Sequence, residues 1–237
     1  SSDSVIALTD NAIELMLSRN PCLKAAKFVK ITTCSDLVLF KKRDKLIENK
    51  KYFTLGHLGA VDTAYEIEPI LNLYKKLRDE YKVFRLLFLN KGSHEYINDQ
   101  IDRLNIPKEG IEIIDVDFNK VPEYIEKIDF GCFYANPNLS IKASMPTKLG
   151  EFLASGVPVL CNPINKDVSE LIMENKVGIV LNFESSLNLD HLQQDLYNLA
   201  HSNDTRDRCR RVAESNFSLE DGIQKYKKIY RLLIERG

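Results

Sequence analysis

The 237-residue sequence lacks tryptophan and has no apolar run approaching the roughly 20 residues that a membrane-spanning helix needs. Its first residues, SSDSVIALTD, also lack the basic and apolar regions of a signal peptide. Ten glycines and eight prolines are too few for a fibrous or low-complexity chain. These absences favour a globular protein, and we expect it to be cytoplasmic.

An excess of positive charge is also missing, because 33 Lys and Arg residues are balanced by 34 Asp and Glu residues. A protein that binds nucleic acid needs basic surface to neutralise phosphates, so we expect no nucleic-acid partner. The 44% apolar share of the chain is enough to build a substantial core.

The five cysteines are an odd number spread along the chain, and no two of them have the two-residue spacing of a metal knuckle. Cys132 and Cys161 lie within apolar runs, where a thiol usually packs as a small hydrophobic group. The four histidines show no metal-ligand spacing either. The sequence therefore predicts no disulfide framework and no metal site.

Short β-branched and aromatic runs alternate with longer segments of helical period from residue 52 onward. The runs are apolar almost throughout, as expected for strands that are covered on both faces in a parallel sheet. This order predicts an α/β fold, a doubly wound, Rossmann-like parallel sheet flanked by helices. The six candidate strands are residues 53–59, 83–89, 111–115, 129–135, 157–161 and 178–181. Three closing helices are predicted after them, at residues 189–200, 205–215 and 219–236.

Ligands of doubly wound sheets bind beyond the carboxyl ends of the strands, so functional residues are expected in the turns there. The first such turn, GHLGAVD, lacks the GxGxxG spacing of dinucleotide-binding folds, and the chain has no P-loop sequence. NAD, FAD and ATP therefore lose support, and we expect no cofactor. Gly59 permits close approach by a phosphate or sugar, or else serves the turn geometry alone. His57, which we also expect on this turn, is the one histidine considered as a ligand contact.

The stretch SMPTKLGEFLASGVPVLC, residues 144–161, carries the most informative pattern. Pro146 falls where a helix is expected to begin. The backbone N–H groups of Thr147, Lys148 and Leu149 would then be free at the positive end of that helix, and the Lys148 side chain would add a full charge. Such a helix end is a suitable site for an anionic diphosphate. An ordinary helix with solvated side chains is the alternative that this spacing leaves open.

Glu151 lies one helical turn after this positive end. Its carboxylate can turn toward the same cleft and accept hydrogen bonds from vicinal ribose hydroxyls. Gly156 is placed to end the helix before the next strand. Together these residues predict a site for a nucleoside diphosphate.

The segment PTKLGEFLASGVPVL resembles the nucleotide-sugar-binding signature of GT-B fold glycosyltransferases, in particular the large retaining group called group 1. KFVKITTCSDLVLF is similar to the interdomain crossing segment of that family, and FSLEDGIQKYKKIYRLL to its closing helix. The resemblance implies a C-terminal donor-binding domain of an enzyme that transfers a sugar from a nucleotide diphosphate sugar with retention. It also implies that Glu151 contacts the donor ribose, and that the diphosphate charge is carried without a metal ion.

Two positions depart from the family pattern. A second acid often stands eight residues before the ribose-binding glutamate, where this chain has Ala143. Arg and Lys often follow the first strand of the donor domain, where residues 60–62 are Ala-Val-Asp. Lys148, or Lys91 after the second strand, could supply the missing charge, although Lys91 is also compatible with a solvated turn.

The segment Asp115-Val116-Asp117 permits a different interpretation, because an Asp-x-Asp sequence at a strand end is how the other major glycosyltransferase fold holds a divalent metal. The predicted strand order and the closing helices favour the GT-B scheme. In that scheme, Asp117, Phe118 and Asn119 lie where the nucleotide base docks.

The resemblance also divides the chain into regions. Residues 1–40, with two predicted strands around a helix at Asn11–Ser18, correspond to the end of an N-terminal acceptor domain and the interdomain crossing. Residues 41–51 form a basic linker, and residues 52–237 form the donor-binding domain. The acceptor, a saccharide or a lipid-linked glycan, would bind the missing N-terminal domain, so we expect this chain alone to be inactive. The linker either contacts an anionic membrane surface, which would place the protein at the inner face of the membrane, or is a solvated loop.

A second hypothesis is a non-catalytic module of the same fold that binds nucleotides or another protein. Ala143 and the uncharged first turn favour this alternative. Binding of nucleotides and nucleotide sugars discriminates between the two hypotheses.

Overall fold

The computed structural model describes residues 4–20, 22–23, 28–42, 50–61, 64–136 and 138–235. The strands are β1 (Val5–Ala7), β2 (Phe28–Lys30), β3 (Phe53–Leu58), β4 (Tyr65–Glu66), β5 (Phe84–Leu89), β6 (Ile111–Ile114), β7 (Phe130–Ala135), β8 (Val159–Cys161) and β9 (Gly178–Val180). The helices are α1 (Asp10–Arg19), α2 (Glu68–Tyr81), α3 (His94–Arg103), α4 (Val121–Ile125), α5 (Leu139–Lys142), α6 (Thr147–Ala154), α7 (Lys166–Glu174), α8 (Leu189–Ala200), α9 (Asn203–Asn216) and α10 (Leu219–Ile234). A short 3₁₀ helix, Phe118–Lys120, precedes α4.

The main sheet has the strand order β6-β5-β3-β7-β8-β9, and all of these neighbours are parallel. Numbered by appearance along the chain, these strands follow the 3-2-1-4-5-6 order of doubly wound nucleotide-binding folds. The direction of winding reverses between β3 and β7, which makes the crevice beyond their carboxyl ends the expected ligand site. The predicted doubly wound α/β fold is confirmed, and each of the six predicted strands lies within two residues of its expected bounds.

Helices cover both faces of the sheet, and each face has its own buried apolar cluster. One cluster joins the sheet to α6, α7 and α9, and it contains Phe152 and Cys209. The other joins the sheet to α2, α3 and α8, and it contains Tyr74 and Leu196. Burial on both faces explains why the strands are apolar almost throughout.

The first elements form a separate two-stranded parallel sheet, β1 and β2, with α1 between them in sequence. Asp167 of α7 holds the start of α1, because its carboxylate accepts hydrogen bonds from the backbone N–H groups of Asp10 and Asn11, each at 2.9 Å. The crossing segment then pairs with the start of the last helix through Ser35 and Ser218. The N-terminal elements therefore pack against the main domain.

Three closing helices follow β9, as predicted. The sequence pattern did not predict α5, α7 or the short strand β4, which pairs antiparallel with β7. Residues 43–49, the centre of the predicted basic linker, and Arg236, the predicted end of the last helix, lie outside the described residues. No helix in the described ranges is both long enough and apolar enough to span a membrane.

Candidate functional site

Helix α6 begins directly after Pro146, as the sequence predicts. The Pro146 backbone is extended, with φ −64° and ψ 125°, and no side chain caps the helix. The N–H group of Leu149 donates to the Pro146 carbonyl at 3.2 Å. The expectation that Leu149 presents a free N–H is therefore wrong, because this i to i−3 bond tightens the first turn. The N–H groups of Thr147 and Lys148 are those left without an intrahelical partner.

Two glycines bring α6 close to its neighbours. A Cβ atom on Gly131 of β7 would lie 2.6 Å from the Phe152 ring, so α6 packs directly on a central strand. A Cβ atom on Gly150 would lie 2.5 Å from Ser35 Oγ of the crossing segment. Arg210 of α9 donates to the last carbonyl of α6 at 3.1 Å. These contacts fix α6 relative to the sheet edge at which ligands are expected.

The Lys148 side chain folds over the carboxyl end of the sheet, and the residue is only 6% exposed. Its Nζ atom lies 3.4 Å from Nε2 of His57 on β3 and 3.5 Å from the centre of the Tyr65 ring on β4. Since β3 and β7 flank the point where the winding reverses and β4 pairs with β7, Lys148 lies at the topological switch point.

His57 is not on a turn, so that expectation is wrong. It lies within β3, and its side chain is fully buried. Its Nδ1 atom is 3.1 Å from the Cys132 carbonyl oxygen. Because a carbonyl oxygen only accepts, this contact favours the tautomer with the proton on Nδ1, in which Nε2 presents its lone pair to Lys148. Burial, followed by the charge of Lys148, holds the pKa of His57 well below its usual value, so the ring is neutral.

Glu151 is 8% exposed and lies one turn after the start of α6. Burial raises the pKa of Glu151 to about 7, and the positive charge of Lys148 opposes that rise. Burial lowers the pKa of Lys148 to about 7, and Glu151 opposes the fall. Burial therefore disfavours the charged form of both groups, which titrate as a coupled pair. Among the described residues, none donates a hydrogen bond to the Glu151 carboxylate, which leaves it free to accept from a ligand.

Lys91, Asp117 and Phe118 form a second group on the same edge of the sheet, after β5 and β6. Lys91 Nζ lies 2.9 Å from Asp117 Oδ1, and the two side chains are 75% and 66% exposed. The hydrogen bond from Lys91 and its charge lower the pKa of Asp117. Phe118 is 60% exposed, and its ring packs against that of Phe40 with centroids 5.6 Å apart. An exposed aromatic face is a surface on which a nucleotide base can stack.

The two carboxylates of the Asp-x-Asp segment have different partners. Asp115 Oδ1 lies 3.2 Å from His94 Nε2, whereas Asp117 is paired with Lys91. Within the described part of the chain, no group of three His, Cys, Asp or Glu side chains is arranged to hold a metal ion. The metal-binding interpretation therefore gains no support from these residues.

Gly59 directly follows β3 and has a φ of +85°, in the left-handed region that favours glycine. Its carbonyl accepts a hydrogen bond from the Asn90 side chain at 3.0 Å. A Cβ atom on Gly59 would meet no atom within 4 Å. The turn geometry thus requires a glycine, and open space beside it also leaves room for a ligand.

A cavity of about 310 Å³ lies between the N-terminal segment and α7 and α9, away from Lys148 and Glu151. Its lining includes Thr32 and Asp167, but neither Lys148 nor Glu151. Two larger cavities, of about 480 and 380 Å³, are not lined by Lys148 or Glu151 either, so cavity volume does not locate this cluster.

Known structures with the same architecture were found, although no family model and no curated protein matches the sequence. Sucrose-phosphate synthase from Thermosynechococcus elongatus has a TM-score of 0.78 at 14% identity, covering 100% of this chain and 60% of that one. HepE from Anabaena in complex with UDP has a TM-score of 0.76 at 13% identity, covering 97% and 64%. The C-terminal domain of LpcC, a glycosyl transferase group 1 family protein from Francisella tularensis, has a TM-score of 0.56 at 13% identity, covering 78% and 99%.

The chain therefore has the fold of the C-terminal domain of GT-B glycosyltransferases. The resemblance expected from the α6 segment is confirmed at the level of the fold. The chain spans 43% of the length of TarM and 60% of that of the sucrose-phosphate synthase, so it matches only part of these proteins.

Proposed function

We propose that this chain is the donor-binding part of a glycosyltransferase and that it binds a nucleotide diphosphate sugar at the N-terminus of α6. The observation that carries the proposal is the joint burial of Lys148 and Glu151 at the switch point between β3 and β7. Burying ionisable groups costs free energy, and groups with pKa values shifted toward neutrality cluster at functional sites. Structural neighbours that were solved with UDP support a nucleotide ligand.

Each group at the site has a distinct role in this proposal. Glu151 accepts hydrogen bonds from the ribose hydroxyls, and the N–H groups of Thr147 and Lys148 receive the diphosphate. The Lys148 ammonium group supplies the positive charge, so the scheme needs no metal ion. Gly59 allows the donor to approach the backbone.

The exposed group of Lys91, Asp117 and Phe118 has a smaller role in this proposal. Phe118 offers a face for the nucleotide base, and Asp117 and Lys91 lie beside it. Because that pair is exposed, we expect it to orient the base more than to add affinity.

The finer parts of the proposal rest on the resemblance to the retaining group. We propose transfer with retention, to a saccharide or a lipid-linked glycan, in the cytoplasm or at the inner face of the membrane. Since the chain spans only part of its structural neighbours, we also propose that acceptor binding needs elements beyond these residues, and that this chain alone does not transfer the sugar.

Calorimetry with UDP, GDP and their sugars tests donor binding directly. We expect one of the two nucleotides to bind with a measurable affinity, and we expect the corresponding nucleotide sugar to bind as well. No binding of any of them at millimolar concentration would favour the non-catalytic module instead. Robust sugar transfer by the 237-residue chain on its own would contradict the need for further elements.

A further inference from the structure

His57 is a buried polar side chain in an otherwise apolar strand, and the donor contacts proposed above do not use it. Leu55 and Leu58 on the same strand are buried with it, and its ring lies 5.8 Å from that of Phe88. Placing an imidazole in such surroundings costs free energy unless both ring nitrogens have partners. Both do, since Nδ1 faces the Cys132 carbonyl and Nε2 faces Lys148, and the Ala60 backbone also hydrogen-bonds the ring.

The Cys132 carbonyl and the protonated form of Lys148 together favour one tautomer of the ring. A proton on Nε2 would face the Lys148 ammonium group, and the bare Nδ1 would then face a carbonyl oxygen at 3.1 Å. Both arrangements are repulsive, so the backbone of β7 sets the direction of the Nε2 lone pair.

The Lys148 ammonium group consequently lies between two neutral groups that attract cations. The Nε2 lone pair is 3.4 Å away and the centre of the Tyr65 ring is 3.5 Å away. The titratable groups that influence Lys148 are His57 from β3, Tyr65 from β4, Cys132 from β7 and Glu151 from α6. Of these, Glu151 carries the negative charge, and the others are neutral at neutral pH.

We propose that His57 is a positioning residue of the donor site, which holds the Lys148 ammonium group against the Tyr65 ring through Nε2 so that it can meet the donor diphosphate. This inference rests on the proposed function. His57 itself does not touch the donor, and it acts only through the position and the protonation of Lys148.

Two substitutions at His57 separate this role from simple packing. The side-chain oxygen of Gln is as many bonds from Cα as Nε2, so His57→Gln retains an acceptor for Lys148. The side-chain nitrogen of Asn is as many bonds from Cα as Nδ1, so His57→Asn retains only the donor to the Cys132 carbonyl. Both variants introduce a neutral amide, and thermal unfolding of each checks the fold.

Calorimetry with uridine and UDP, or guanosine and GDP if that base is preferred, gives the main readout. We expect His57→Asn to weaken the nucleoside diphosphate about tenfold and the nucleoside by less than about twofold, as for loss of one charge-assisted hydrogen bond. His57→Gln should recover most of the lost affinity. Equal losses in the two variants, or equal losses for the two ligands, would overturn the role of His57.

A measurement on the wild-type chain covers the case in which the variants do not fold. Nitrogen-15 NMR of the histidine rings should show His57 with its proton on Nδ1 and an unprotonated Nε2 at a pH below 7, where Lys148 is protonated. A proton on Nε2 overturns the inference while leaving donor binding intact. If the wild-type chain binds no nucleotide at all, the proposed function fails, and the donor role of His57 fails with it.

Discussion

Two pairs of oppositely charged side chains lie at the carboxyl edge of the sheet, and they differ mainly in burial. The side chains of Lys91 and Asp117 are 75% and 66% exposed, and their charged atoms are 2.9 Å apart. Lys148 and Glu151 are 6% and 8% exposed. Solvent screens the first pair, so its net contribution is small. Burial moves the pKa values of the second pair to about 7, which makes its charge responsive to a ligand.

This difference shows that the burial of a charged residue is a better indicator of a binding role than its presence in the sequence. Lys91 and Lys148 look equivalent in sequence as replacements for a missing basic residue. Only Lys148 is held by neutral side chains inside the fold, where a diphosphate would interact with it through a medium of low dielectric constant. We therefore propose that Lys148 carries the principal charge of the donor site.

Removing the buried carboxylate should have the largest effect. Glu151→Ala is expected to weaken uridine or guanosine binding by about 10- to 150-fold, because charge-assisted hydrogen bonds to the ribose are lost. Asp117→Ala, the matched change in the exposed pair, should cost less than about threefold. Calorimetry measures both, and thermal unfolding should show that both fold. Near-wild-type affinity for Glu151→Ala would mean that its carboxylate does not contact the ligand.

Removing the buried cation should have a smaller and more selective effect. Lys148→Met keeps the length of the side chain, and we expect it to weaken the nucleoside diphosphate about tenfold while changing the nucleoside little. Added salt should reduce the difference, because it screens the attraction that the wild-type ammonium group exerts on the phosphates. Titrations at low and high salt provide the test. A similar loss of affinity for the nucleoside and the nucleoside diphosphate would show that Lys148 does not contact the phosphates.

The buried pair should also give donor binding a pH optimum. Lys148 is protonated below a pKa of about 7, so diphosphate binding weakens as the pH rises above that value. Glu151 is ionised above a pKa of about 7, so ribose binding weakens as the pH falls below it. A nucleotide sugar is the ligand of choice, because its diphosphate has no proton that titrates near neutrality. We expect a maximum near pH 7 for the wild type and loss of the alkaline limb in Lys148→Met; a flat profile would contradict both pKa assignments.

Removing the exposed cation should have the smallest effect. Lys91→Met is expected to change the affinity for the nucleoside diphosphate by less than about threefold at physiological salt, since a solvated charge is screened. Asp117 raises the pKa of Lys91 through their hydrogen bond, so this charge does not titrate near neutrality. A loss of affinity in Lys91→Met as large as that in Lys148→Met would contradict the conclusion that the buried cation contributes more than the exposed one.

Local signals made most of the fold predictable. Nearly continuous apolar runs identify strands such as β7, in which every residue is buried. Pro146 and Gly156 mark the start and the end of α6, and Gly156 has a φ of +72° that suits a helix terminus. Strand β4 has only two residues, and its position depends on pairing with β7, so no local sequence pattern predicts it.

The candidate site was only partly predictable. Lys148 and Glu151 could be found from their spacing in α6, but their shifted pKa values depend on burial by β3, β4 and β7, which are distant in sequence. The segment GHLGAVD is expected to form a turn, whereas the structure places its His57 within β3. The signal of His57 was its position between Leu55 and Leu58, since a histidine inside an apolar run is a buried polar group that needs partners.

A crystal structure of the chain with a nucleoside diphosphate is the most direct test of the donor site. We predict ribose hydroxyls within about 3.2 Å of the Glu151 carboxylate, the distance of an ordinary hydrogen bond, and a diphosphate at the N–H groups of Thr147 and Lys148. The Lys148 ammonium group should remain beside His57 and face the phosphates. A nucleotide bound in the cavity between the N-terminal segment and α7 and α9, with α6 unoccupied, would contradict this prediction.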